Sequence, residues 1–228
     1  MAKQRRIDPL QVLVEVAVIT IGIVLAYQLN TMREVNKTLD SERKILREIK
    51  SNLELDLIDL QANMNAHQNA LILIDTIKNW EGEYNGVIGK MFFDIFRDYL
   101  FLPQTSAFET LKSKGVDLIM NDSIRINSQR LYDFYYEILV KYESEYAANQ
   151  LYDDFEWIVT TYYKSFPIRS STHPIPKVNS TRWLKDDELV TRLDLAQFEH
   201  EFSLQIYQQV KREINSLINA IDTELSSE

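Results

Sequence analysis

The chain has no cysteine and only three histidines, and its 228 residues include just five glycines and five prolines. Without cysteine there can be no disulfide, thiol nucleophile or thiolate metal site, a condition compatible with either side of a membrane. The five glycines are scattered, so they form neither a phosphate-binding loop nor a dinucleotide fingerprint, and no Gly-x-Ser-x-Gly nucleophile elbow occurs. A di-iron bundle site needs Glu three residues before His, but Met64 holds that place before His67 and Gln197 before His200. The expectation is a protein that is not an enzyme, with no catalytic residue, cofactor or metal. Scarce Gly and Pro, with abundant Leu, Ile, Glu, Lys and Gln, point to an all-α fold.

Charge is unevenly distributed. Residues 34 to 228 hold 21 basic and 32 acidic side chains, whereas residues 1 to 33 carry a small positive excess. So acidic a domain repels phosphate backbones, which argues against nucleic acid as a partner.

The one long apolar run is 10–30, LQVLVEVAVITIGIVLAYQLN, behind a short basic tail at 1–9. About 20 helical residues cross the ~30 Å hydrocarbon layer. Twelve Val, Ile and Leu residues favour insertion, and one acid, Glu15, opposes it. The run is too long for a signal peptide, and Ala26-Tyr27-Gln28-Leu29 lacks a small-x-small cleavage site. An uncleaved transmembrane helix in the lipid bilayer is therefore expected. Lys3, Arg5 and Arg6 favour a cytoplasmic N-terminus, which would leave the remaining domain on the outer, periplasmic side of the inner membrane.

Glu15 would lie ~8 Å inside the apolar boundary, on one helical stripe with Ile19, Gly22, Ala26 and Leu29. Gly22 and Ala26 form a small-xxx-small pair, so the stripe is a candidate helix–helix interface for a homo-oligomer. The alternative is an accessory subunit of a transport or energy-coupling complex, with Glu15 as a proton- or ion-linked carboxylate within the membrane.

Beyond the anchor, 31–228 reads as one elongated antiparallel helical bundle, with long helices about 31–80, 122–166 and 186–225 and short ones about 90–102 and 106–114. In the first, Leu39, Leu46, Leu53, Leu60 and Ile74 recur every seven residues, as in a coiled coil, with Ile49, Leu57, Met64 and Leu71 between them. His67 falls in the same series beside Asn63, Asn65 and Asn69, a polar layer of the kind that fixes register. Ser106 to Glu109 has the spacing of a capping box, and Gly115 that of a helix stop. The last helix is expected to bury Leu195, Phe198, Phe202, Ile206, Val210, Ile214, Leu217 and Ile221. Tyrosines along 132–163 read as core with polar tips. The acid clusters around Asp153-Asp154-x-Glu156 and Glu199-His200-Glu201 read as solvated faces.

The irregular loop 167–182 gathers Arg169, His173, Lys177 and Arg182, a basic island that could contact an anion or a protein partner.

Taken together, Glu15, Ile21-Gly22-Ile23, Ala26-Tyr27-Gln28-Leu29-Asn30, the segment Ala107 to Gly115 and Leu118 to Asp122 resemble an uncharacterised family of bacterial single-pass membrane proteins, a domain of unknown function. The resemblance covers about the first 140 residues and implies a membrane location and a helical domain. It brings no catalytic residue with it. The function expected is that of a membrane-anchored helical scaffold or ligand-sensing protein that self-associates through its anchor.

Overall fold

The computed structural model describes residues 9–167, 173–178 and 180–227. It is all-α apart from a two-strand ladder. One helix, α1 (Pro9–Lys78), contains both the apolar run and the first bundle helix without a break. At 1.5 Å per residue, its 70 residues extend ~105 Å. The short helices α2 (Val87–Ile95) and α3 (Ser106–Lys114) follow. A second long helical path then runs through α4 (Asp122–Arg130), α5 (Glu137–Lys141) and α6 (Ala148–Tyr162), joined by π-helical stretches at Leu131–Tyr136 and Tyr142–Ala147. After the antiparallel strands β1 (Tyr163–Ser165) and β2 (Ile175–Pro176), α7 (Asp187–Ser226) returns along the bundle.

Three pairings set the direction of α7. Lys50 meets Asp222 at 2.5 Å, Gln61 accepts from Lys211 at 2.6 Å, and Lys78 meets Asp194, so each step along α1 is matched by a step back along α7. Leu46, Leu53, Leu60 and Ile74 are buried in this seam. The second buried register on α1 is Ile49, Asp56, Ala70 and Ile77, whereas Leu57 and Leu71 are only half-buried. The core falls into two apolar clusters. One surrounds Leu53, Phe108, Leu131 and Ile214; the other surrounds Ile77, Phe92, Ile158 and Leu193.

The ends of the helices are set locally. Asn121 accepts from the N–H groups of Ser123 and Ile124 at the start of α4, and Asp186 accepts from Glu188 N–H at the start of α7. Gly115, with φ of 100°, ends α3. Gly89 is required by packing, because a Cβ there would sit 2.6 Å from the Pro174 ring.

Several sequence expectations differ from the structure. Helix α1 runs unbroken from the apolar run into the bundle, as a spanning helix that continues into the domain would; the differences lie further on. Helix α2 stops at Ile95, and 97–105 form an irregular strap where the sequence predicts helix to 102. Ser106 opens α3 as its first helical residue, so the predicted capping box is not formed, and its hydroxyl accepts instead from Asn52. On α7, Leu195, Phe198 and Phe202 are exposed, Phe198 by 59%. The core positions there belong to Leu189, Leu193, Ala196, His200, Ser203 and Tyr207. Small and polar residues hold the buried stripe, so the apolar pattern points to the wrong face. Among the aromatics, Tyr132, Tyr136, Tyr162 and Tyr163 are buried, whereas Tyr152 is exposed.

Candidate functional site: a buried polar layer

Within the first apolar cluster and at its edge towards the second, the bundle buries acids and histidines. Asp56 is 1% exposed and Glu143 3%, each held by a tyrosine hydroxyl and a backbone N–H. Asp56 accepts from Tyr136 Oη at 2.6 Å and from Gln104 N–H at 2.8 Å. Glu143 accepts from Tyr207 Oη and from Phe101 N–H at 2.8 Å. A third acid, Asp59, takes Leu102 N–H at 3.0 Å. Pro103, which has no N–H to offer, stands between Leu102 and Gln104. Every N–H of the strap segment 101–104 therefore goes to a carboxylate from α1 or from the second π-helical stretch. This explains why the strap is not helical: side chains more than 40 residues away in sequence take the donors that a helix would pair internally.

Burial pushes the Asp56 carboxyl up to about 6 and that of Glu143 up to about 7. The tyrosine hydroxyls and strap N–H groups oppose that rise, while the nearby Asp59 charge adds to it. Burial and the adjacent carboxylates raise Tyr136 and Tyr207 far above the ordinary phenol range. Near neutral pH this layer can hold protons on acids that would be ionised in water.

His67 and His200 complete the layer. His200 Nε2 lies 2.9 Å from the Ile95 carbonyl oxygen, which can only accept, so the proton is assigned to Nε2. His200 Nδ1 is then an acceptor, and His67 Nδ1, 2.8 Å away, donates to it. That leaves His67 Nε2 as a bare acceptor, buried and without a hydrogen-bond partner. It borders a cavity of about 10 Å³ whose walls include Asp98, Tyr99, Glu143 and Ser203. Burial lowers His67 to about 3, helped by His200, and lowers His200 to about 4 against the pull of the Ile95 carbonyl. Both rings are neutral at physiological pH.

Other residues singled out in the sequence are dispersed. Glu15, Ile19, Gly22, Ala26 and Leu29 are exposed along α1, and no atom comes within 4 Å of a Cβ placed at Gly22. Arg169 lies outside the described residues. His173 packs beside Gly86, and Lys177 donates to the Thr160 carbonyl at 2.8 Å, closing the end of α6. The Arg182 side chain is exposed. Of the three asparagines, only Asn63 is half-buried; Asn65 and Asn69 are exposed. Two clusters expected to be solvated are partly core. Asp154 is fully buried and paired with Arg192 at 2.6 Å, and His200 is buried. Sequence spacing passed over Asp56 and Glu143 and placed Asp154 on a solvated face. A signal for two of them existed, because Asp56 continues the seven-residue series from Ile49 to Ile77, and Asp154 stands between Leu151 and Ile158 in a buried stripe. Among the described residues, no group of three or more His, Asp or Glu could hold a metal ion.

A model of DUF6090, a family of unknown function, matches residues 15–199, and the chain belongs to that family. The match reaches well past the first 140 residues on which the sequence resemblance rests, taking in Asp56, His67 and Glu143 and stopping at Glu199, just before His200. No curated protein and no solved structure matches the chain.

Proposed function

We propose that this member of the family is a single-pass membrane protein whose helical domain serves as an interaction module held at the membrane surface. The observation that carries the proposal is the exposure of the apolar part of α1. It contains the one candidate span among the described residues, and none of that span's apolar window is buried inside the molecule. A soluble protein would leave a large apolar surface uncovered there, whereas a bilayer covers it. Burial starts at Glu42, so about ten residues of bare helix, ~15 Å, separate the apolar run from the bundle.

Two further features favour interaction over chemistry. The open notch at Gly22 has room for a second anchor helix, which supports self-association through the Glu15 stripe. In the bundle, Phe198 and Phe202 stack at 6.0 Å on the surface of α7 beside Leu195, an apolar ridge suited to a protein partner. The short basic tail suggests that the N-terminus is cytoplasmic and the bundle lies outside.

The test is alkaline carbonate extraction of membranes carrying the full chain, beside a variant with Ile19→Arg and Ile23→Arg. The wild type should stay in the pellet and the variant should be released. Release of both would end the anchor reading.

A further inference from the structure

Between α3 and the helical path from Leu131 to Ala147, an open cavity of about 540 Å³ remains, within the ~300–1,000 Å³ range of small-ligand sites. Its helix-side wall is built with a spacing of four. One column is Tyr132, Tyr136, Val140 and Ser144; the other is Asp133, Glu137, Lys141 and Glu145. In a plain α-helix a column at this spacing drifts by ~40° per step and would wind off the wall. The two π-helical stretches, Leu131–Tyr136 and Tyr142–Ala147, put more residues into each turn and reverse that drift. Both columns therefore stay on one face. These are the two π-helical stretches among the described residues, and both border this cavity. Such insertions concentrate at functional sites.

The chemistry of the wall selects a ligand class. Phe108 stacks on Tyr132 at 4.4 Å with the rings 8° apart, and Pro103, Tyr136 and Val140 extend the apolar surface. Tyr132 is 5% exposed, and its buried hydroxyl has no hydrogen-bond partner. Four acids and two lysines stand at the rim. Lys112 is engaged by Glu109 at 3.2 Å and Asp133 at 3.5 Å, and Lys141 by Glu145 at 3.8 Å. Glu137 is in none of these pairs. An anion would meet paired lysines and a surplus of negative charge, whereas a cation would meet Glu137, a carboxylate in none of these ion pairs, beside the apolar side chains of Pro103 and Val140.

We propose that this cavity binds a small organic cation with an apolar body, the body against Pro103 and Val140 and its ammonium at Glu137. The proposal stands on the cavity alone and holds whether or not the apolar part of α1 crosses a membrane.

The test is equilibrium dialysis of the full chain in detergent micelles against 2-phenylethylammonium, with protein-free micelles to subtract partitioning. 3-Phenylpropionate, of the same shape and opposite charge, runs in parallel. Val140→Trp fills the cavity and Glu137→Lys reverses its charge; both positions are exposed, and circular dichroism checks that the helices persist. Saturable uptake of the cation is expected, with the anion and the Glu137→Lys variant each about tenfold weaker or more, and with Val140→Trp reduced to the protein-free level. Uptake no greater than that of protein-free micelles, equal uptake of the anion, or undiminished uptake by Val140→Trp would each overturn the proposal.

Discussion

On either side of Ser41 the same helix sorts its side chains in opposite ways. From Leu13 to Val35, α1 turns Val16, Ile19, Ile23 and Leu29 outward; from Glu42 to Ile77 it buries Asp56 and His67 among leucines and isoleucines. Backbone geometry is common to both halves, so the difference lies in what surrounds them. The outer half has no protein cover and is, by length and composition, apolar enough to cross a bilayer. The inner half is enclosed by protein, and its buried acids, Glu42 and Asp56, have the donors that make burial tolerable, from Met120 N–H to Glu42 and from Gln104 N–H and Tyr136 Oη to Asp56. An exposed apolar surface and a buried polar layer are thus two answers to the question of where a side chain finds its complement.

The largest expected effect breaks the outer half. Each arginine at the centre of a span costs about 3 kcal/mol of insertion, so Ile19→Arg with Ile23→Arg should largely cancel the drive to insert, seen as loss of the chain from the membrane pellet. Next is the inner half. Asp56→Ala strands the Tyr136 hydroxyl and Gln104 N–H in the core and should cost about 2–4 kcal/mol in chemical denaturation. Asp56→Asn, which keeps an acceptor, should cost less than half of that. The same order is expected for Glu143→Ala and Glu143→Gln.

Acidity sharpens the comparison within the layer. Asp56 and Glu143 bind protons more tightly folded than unfolded, so their contribution is full near pH 4 and is lost as pH rises through about 6 and about 7. His67 and His200 do the reverse: their contribution is full above the ordinary histidine pKa and is lost as pH falls through about 4 for His200 and about 3 for His67. The two trends oppose each other between pH 4.5 and 6.5, on the order of two protons each way, so wild-type stability should be nearly flat there. His67→Leu with His200→Leu should give a protein that weakens as pH rises across that window, and Asp56→Asn with Glu143→Gln one that weakens as pH falls. Denaturation midpoints at several pH values decide this, and equal slopes in the two variants would contradict the assignment. The smallest effect is at Gly22. Gly22→Leu should fill the open notch and shift native mass spectra in detergent towards monomer without moving the bundle's melting temperature.

Much of this arrangement was legible in the sequence, where one kind of spacing governs. Length and hydropathy mark the apolar run, and the seven-residue series of Leu46, Leu53, Leu60, His67 and Ile74 gives the seam of α1, with a polar residue in its midst. Legibility fails where a long-range partner decides. The segment MFFDIFRDYLFL has an amphipathic helical pattern, yet its last part is kept out of helix by Asp56, Asp59 and Glu143. The outward turn of Phe198 follows from the burial of Ala196, His200 and Ser203 on the opposite face of α7, His200 against His67 of α1. The π-helical stretches leave no mark in composition, because they come from how many residues must fit between fixed contacts. The cavity they border was therefore invisible until the helices were in place.

The most direct test of the central claim uses the absence of cysteine. Ile21 and Ile58 lie on the same helix and are similarly exposed in the molecule itself, at 59% and 68%. Single cysteines placed there by Ile21→Cys and Ile58→Cys, with the full chain in sealed vesicles, can be challenged with a membrane-impermeant maleimide on either side. If the outer half of α1 lies in the bilayer, Ile58→Cys labels from one face of the vesicle, while Ile21→Cys stays unlabelled from both until detergent is added. Labelling of Ile21→Cys as fast as Ile58→Cys without detergent would contradict the account.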